Sequence, residues 1–160
     1  MANSVSADEQ QYLSADAFIE QSFEGVKPNW KMLTLDSALK SQAKQILGHE
    51  YAGSRVRYWQ AGTKTVWILE EIGKEKPITL GIAVNQNHID TIQVLVYRET
   101  RGGEVAQASF LQQFKAALLQ ADNKLNKPID SIAGATLSVH AVTNASRLAL
   151  LFSQHVTASN

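Results

Sequence analysis

A chain of 160 residues has room for one compact fold rather than two linked ones. Apolar residues make up 44% and charged residues 19%, enough to build a core, which excludes a collagen-like or mainly disordered chain. Fifteen Lys and Arg balance fifteen Asp and Glu and there is no cysteine, so a bulk field for nucleic acid or anionic lipid is excluded, as are disulfides, thiolate nucleophiles, iron–sulfur ligation and cysteine zinc sites.

Residues 1–11 are polar and have neither the basic start nor the apolar stretch of a secretory signal. They are expected to be a disordered segment ahead of one domain over residues 12–156. Ser14 is placed to cap a helix through residue 23, with Ala17, Phe18 and Phe23 toward the core, and Gly25 with Pro28 ends it. A short strand over residues 30–35 follows. Asp36 then caps a helix in which Leu39, Ala43, Ile46 and Leu47 recur on one face, and Gly48 stops it.

Four extended stretches come next, at residues 55–60, 64–72, 78–85 and 89–97. Ala61-Gly62, a longer loop over residues 73–77 and Gln86-Asn87-His88 separate them, which is the punctuation of an antiparallel meander. Residues 99–104 are polar, contain glycine and follow neither hydrophobic period, so they read as a loop at a strand end. A helix is expected over residues 109–119 with Phe110, Phe114, Ala117 and Leu118 on one face, then a polar linker over 120–128. The final helix runs to about residue 154, where Val142, Ala145, Ala149 and Phe152 repeat at helical spacing and Arg147 with His155 complement its negative end. The fold class is α+β, a twisted, mainly antiparallel sheet flanked by helices.

His49, His88, His140 and His155 are scattered without metal-site spacing and read as turn or helix-end residues. Gly73-Lys74 precedes Glu75 where a phosphate loop needs a hydroxyl, and Trp59 and Trp67 lie in strand-like runs as sheet-face residues. No nucleic-acid partner is indicated. The turn Gly134-Ala135-Thr136 stands apart, because small residues let backbone N–H groups approach a ligand and the following helix aims its positive end at the same spot. Two readings fit it, a local phosphate site or an ordinary turn with Thr136 or Ser138 as helix cap, and turn chemistry alone favours the second.

Residues 130–138, D-S-I-A-G-A-T-L-S, resemble the flavinylation motif of the FMN-binding domain family, whose members include subunits of sodium-translocating NADH:quinone reductase and of Rnf-type complexes. The order of elements also matches: an extended meander, the loop Glu99 to Gly103, a short helix carrying Phe110 and Phe114, the Asp-to-Thr motif and a last helix, covering roughly residues 14–152. Ala133 stands where Ser or Thr is common, and Arg101 where the complex subunits usually have Pro. Residues 72–79 look like the free-standing exported branch of the family.

The resemblance implies that Thr136 carries FMN through a phosphoester, donated from FAD by a flavin transferase that recognises Asp130, Gly134, Ala135 and Thr136. It implies flavin contacts from Glu99, Thr100, Arg101, Gly102, Gly103, Ala133, Gly134, Ala135, Leu137, Ser138 and Val139, with no catalytic acid or base and no metal. Leu137, Val139 and the loop are the local candidates for facing the flavin ring. The implied role is an electron carrier between a membrane-associated donor and a redox partner, rather than a stand-alone enzyme, in the periplasm or otherwise exported, with a leader outside this numbering. Two alternatives are a module of the same fold without flavin and an FMN-dependent reductase of a small substrate. No nicotinamide fingerprint is present, which disfavours direct NAD(P)H oxidation.

Overall fold

In the computed structural model, which describes residues 9–158, alternating apolar residues build a six-stranded, wholly antiparallel open sheet. In chain order the elements are β1 (Gln10–Gln11), α1 (Ala15–Phe23), β2 (Asn29–Thr34), α2 (Ser37–Leu47), β3 (Arg55–Ala61), β4 (Lys64–Ile72), β5 (Pro77–Asn85), β6 (His88–Tyr97), α3 (Ala108–Leu111) and α4 (Thr136–Ala158). The sheet order β1-β6-β5-β4-β3-β2 is a meander from β2 to β6, with β1 added as the edge strand beside β6. Gln86 and Asn87, both at positive φ, make the two-residue β5–β6 turn, a conformation that Asn tolerates well.

Period-2 alternation decides the two faces. Trp67 and Leu69 of β4 join the large core with α2 and α4, while Val66 and Ile68 join a smaller cluster under α1. Trp67 stacks on Tyr58 with ring centres 4.7 Å apart and lies 5.5 Å from Phe152 of α4. Its indole N–H donates to Thr65 Oγ1 (2.9 Å), whose hydroxyl donates to Ser153 Oγ (3.0 Å), so even the polar groups of this buried contact are satisfied. On the opposite face a Cβ at Gly81 would fall 2.5 Å from the Phe18 ring, so α1 seats on β5 where there is no side chain.

Both capped helices form as expected: Ser14 Oγ accepts from Ala17 N–H (3.1 Å), and Asp36 Oδ1 from Leu39 N–H (2.8 Å). Ala17 itself is only half-buried, the core contacts of α1 coming from Phe18, Ile19 and Phe23. The first hairpin turn is Gly62-Thr63 instead of Ala61-Gly62, because Ala61 pairs with Lys64 and Gly62 takes the positive φ. Of the segment expected to be disordered, residues 1–8 lie outside the described residues, while Gln10 and Gln11 are ordered, paired with Tyr97 and Val96.

The helix expected over residues 109–119 is shorter. It is helical only in α3, continues as a 3₁₀ turn over Gln112–Phe114 and ends where Ala116 takes a φ of 66°. Strand-like exchange with β6 competes successfully: Ile89 N–H donates to Ala117 O and Ala116 N–H to Ile89 O, both at 2.8 Å. The polar linker is likewise tied, by a bridge between Leu119 and Leu125. Arg147, expected near the negative end of the last helix, sits at its middle, where its Nε donates to Asn123 O (2.6 Å); His155 is the basic residue of the last turn.

Candidate functional site

In a meander alternate strands run the same way, so the β4–β5 turn over residues 73–76 and the exit of β6 lie at one end of the sheet. The start of α4 meets them there. Together they form an open cleft of about 570 Å³, lined by Lys74, Glu75, Lys76, residues 99–102 and residues 134–138. This is within the size range of small-molecule sites.

Polar clamps fix its walls. The Glu99 carboxylate accepts from the backbone N–H groups of Lys74 (2.8 Å) and Glu75 (3.2 Å), so its charge is spent on holding the β4–β5 turn. The Tyr97 hydroxyl donates to Arg101 O, which leaves Ser138 to donate its own hydroxyl to the Tyr97 oxygen (2.8 Å). Burial raises the Tyr97 pKa and keeps that hydroxyl protonated. Gly102, at φ 86°, passes so close that a Cβ there would lie 2.5 Å from both the Ser138 and Tyr97 oxygens. A side chain at residue 102 would therefore force the loop away from α4.

Thr136 is the first residue of the 23-residue α4 and is exposed. Gly134, at φ 81°, turns the chain into it, with Ala135 N–H donating to Ile132 O (2.9 Å). The first α-helical bond returns from Val139 N–H to Ala135 O, which makes Ala135 the capping position. An alanine has no side-chain acceptor for the free N–H groups of the first turn, and Ser138 is turned toward Tyr97. Thus neither Thr136 nor Ser138 occupies the cap position, and the positive helix end faces a cleft that also carries Lys74, Lys76 and Arg101.

Of the residues singled out in the sequence, Glu99, Thr100, Arg101, Gly102, Gly134, Ala135, Thr136, Leu137 and Ser138 line this one cleft. Leu137, 51% exposed, is its apolar wall. Four others do not line it. Val139 is buried in the large core and its outer edge borders a separate concavity, because helical rotation carries it away from Leu137. Gly103 begins a 3₁₀ turn beside the Tyr97 ring, and Ala133 is exposed on the turn before Gly134. Asp130 is exposed, its backbone N–H held by Gln113 Oε1 at 2.8 Å.

Sequence reasoning missed Lys74, Lys76 and Tyr97. The two lysines were within reach of it, since a meander places the turn after β4 beside the exit of β6; nothing in the sequence marks Tyr97 as more than a core aromatic. The histidines stand apart from the cleft. His49 follows α2 and its ring pairs through Nε2 with buried Glu71 (2.9 Å), its pKa raised first by the Glu50 carbonyl and then by Glu71.

The family model described as FMN-binding domain matches residues 73–151, from the first residue of the β4–β5 turn deep into α4. All the segments that line the cleft fall inside the match. No curated protein matches the chain.

Proposed function

From residues 73–151 belonging to the FMN-binding domain family, we propose that the protein holds FMN covalently, through a phosphoester to Thr136 Oγ1. FMN is its cofactor and its role is that of a flavoprotein; the threonine bond, the transferase and the redox partners are the proposal. When bound, the flavin supplies the electron-transfer chemistry.

One observation carries the reading: Thr136 is exposed at the uncapped start of a long helix, in a cleft whose other walls bring Lys74, Lys76 and Arg101. Backbone N–H groups and cations are the donor set a phosphate monoanion needs. Thr136 offers the one hydroxyl in the first turn that is exposed, whereas the Ser138 hydroxyl is committed to Tyr97. A flavin transferase using FAD would bond the Thr136 oxygen to the flavin-side phosphorus as the pyrophosphate bond breaks, AMP leaves and the hydroxyl proton is released. Leu137 offers an apolar surface and Gly102 a backbone surface for a flat ring. Exposed Asp130 is the residue the transferase reads.

Bound FMN would supply the redox change while Glu99, Tyr97 and Ser138 hold the cleft walls, which suits an electron carrier between a membrane-associated donor and a redox partner. Among the described residues no helix is long and apolar enough to cross a membrane. An exported setting belongs to the same proposal. Intact mass of protein purified from its native host should show one FMN on the peptide containing Thr136, and Thr136→Ala should remove it. Flavin released wholly by acid precipitation, with no added mass, would refute the covalent bond; recovery of the modified chain only from cytosol would refute export.

A further inference from the structure

The segment leading to Thr136 has a second concavity on its other side. It holds about 490 Å³ and shares no lining residue with the cleft. Its charged lining is of one sign: Lys124, Lys127 and Arg147, with His140 beside them and no carboxylate among the lining residues. The chain as a whole has a formal charge of +0, so this is a local concentration of cations. Ile129 and Val139 give it an apolar floor.

The cations are placed by the fold. Arg147 Nε donates to Asn123 O (2.6 Å) and Nη1 to Asn144 Oδ1 (3.1 Å), while Lys127 Nζ donates to Lys115 O (2.5 Å). The loop that bears the lysines is shaped by the Leu119–Leu125 bridge and by Leu118 N–H donating to Asn126 Oδ1 (3.0 Å). Burial lowers the Arg147 pKa and Asp122, from outside the lining, partly offsets it; Arg147 nevertheless keeps its proton and gains from an incoming anion.

We infer that this concavity is the docking site for an acidic, partly apolar segment of the flavin transferase, a proposal that rests on the reading of Thr136 as the attachment residue. Charge complementarity sets the chemistry of the occupant, and position selects the enzyme. Ile129 and Ser131, which flank Asp130, line the concavity, and so do Val139 and His140 just past the cleft residues. A protein seated there grips the attachment segment from behind and leaves the cleft open for the flavin it delivers. A redox partner has the opposite need, since it must approach the cleft itself.

The test is the initial rate of FMN attachment to the full chain by purified flavin transferase and FAD, as a function of chain concentration. Lys124→Glu with Lys127→Glu should raise the KM for the chain by about tenfold, with kcat within about twofold, because exposed charges of this kind govern encounter more than chemistry. Lys124→Gln with Lys127→Gln should give a smaller rise in the same direction. Added salt should raise the wild-type KM and lower that of the reversed variant, bringing the two together. His140→Glu, on the exposed side of α4, repeats the test without touching the loop, and thermal melting of each variant checks the fold. An unchanged KM in all three variants, with wild-type chain modified normally, overturns the docking site and leaves Thr136 standing. Slower electron delivery with unchanged KM overturns it too, and assigns the patch to a redox partner. Failure of the wild-type chain to be modified overturns both readings together.

Discussion

Toward its C-terminal end α4 is held by apolar burial: Phe152 is fully enclosed, 5.5 Å from Trp67 and 5.7 Å from Tyr51. In its first turn the same helix leaves Thr136 and Leu137 exposed, and Ser138 is tied in through a hydroxyl. The difference separates two tasks. Packing along residues 142–156 sets where the helix axis points, and with the axis fixed the first turn can forgo burial and a side-chain cap without losing its place. Chemistry is free to occupy positions that packing does not need.

The contrast can be broken most severely at Phe152. Phe152→Ala should lower stability by about 3–5 kcal/mol, as expected for a large enclosed aromatic, while the protein that remains folded still accepts FMN at Thr136. Urea unfolding together with intact mass at low temperature measures both; a mass increase that vanishes while the fold persists would show that the two halves of α4 are not separable. Thr136→Ala should be the mirror image, abolishing the proposed attachment and, at an exposed position with good helix propensity for Ala, leaving stability within about 0.5 kcal/mol of wild type.

Gly102→Ala tests the boundary between the two regimes. A φ of 86° and a Cβ 2.5 Å from two oxygens make it strained at a site that contributes little apolar packing. A loss of about 1–3 kcal/mol is expected, with the Tyr97–Ser138 bond broken and the absorption spectrum of attached flavin shifted. Normal stability and an unaltered spectrum would mean that the loop is not held against α4 as described. The smallest effect belongs to Arg101, exposed on the cleft wall. Its positive charge favours the reduced flavin, so Arg101→Ala should lower the reduction potential by about 20–40 mV, the worth of one exposed charge, and leave attachment intact. Potentiometric titration with no change returns Arg101 to an ordinary surface role.

Much of this arrangement is legible in the residues before any coordinates. β4 runs over residues 64–72 as the alternation says, because Trp67 and Leu69 enter one core and Val66 and Ile68 the other, and a register error would misplace all four. Ser14 and Asp36 cap the helices they precede, since that chemistry is local. Residues 109–119 fail for the opposite reason. Their helical periodicity is real, yet the deciding bonds join Ala116 and Ala117 to Ile89, some 27 residues away in the chain, and no local pattern reports them. In the site, the turn around Thr136 is marked by its small residues, whereas the roles of Glu99 and Tyr97 as clamps are not. Glu99 reads as a cofactor contact in sequence because a loop carboxylate has no visible partner until the β4–β5 turn is folded beside it. Val139 is misjudged by one step of helical rotation.

The meander also gives the molecule an order in time. Each strand from β3 to β6 pairs with its neighbour in the chain across a short connection, so these hairpins close at small entropic cost. The cleft is different, because it needs residues 73–76, 99–102 and 134–138 at once, bringing Thr136 to Lys74 across about 60 residues of chain. Its assembly waits on α4 reaching the finished sheet. A chain with complete hairpins and an undocked helix presents the threonine without the walls, so the attachment proposed at Thr136 would require the closed fold and would mark the copies that have reached it.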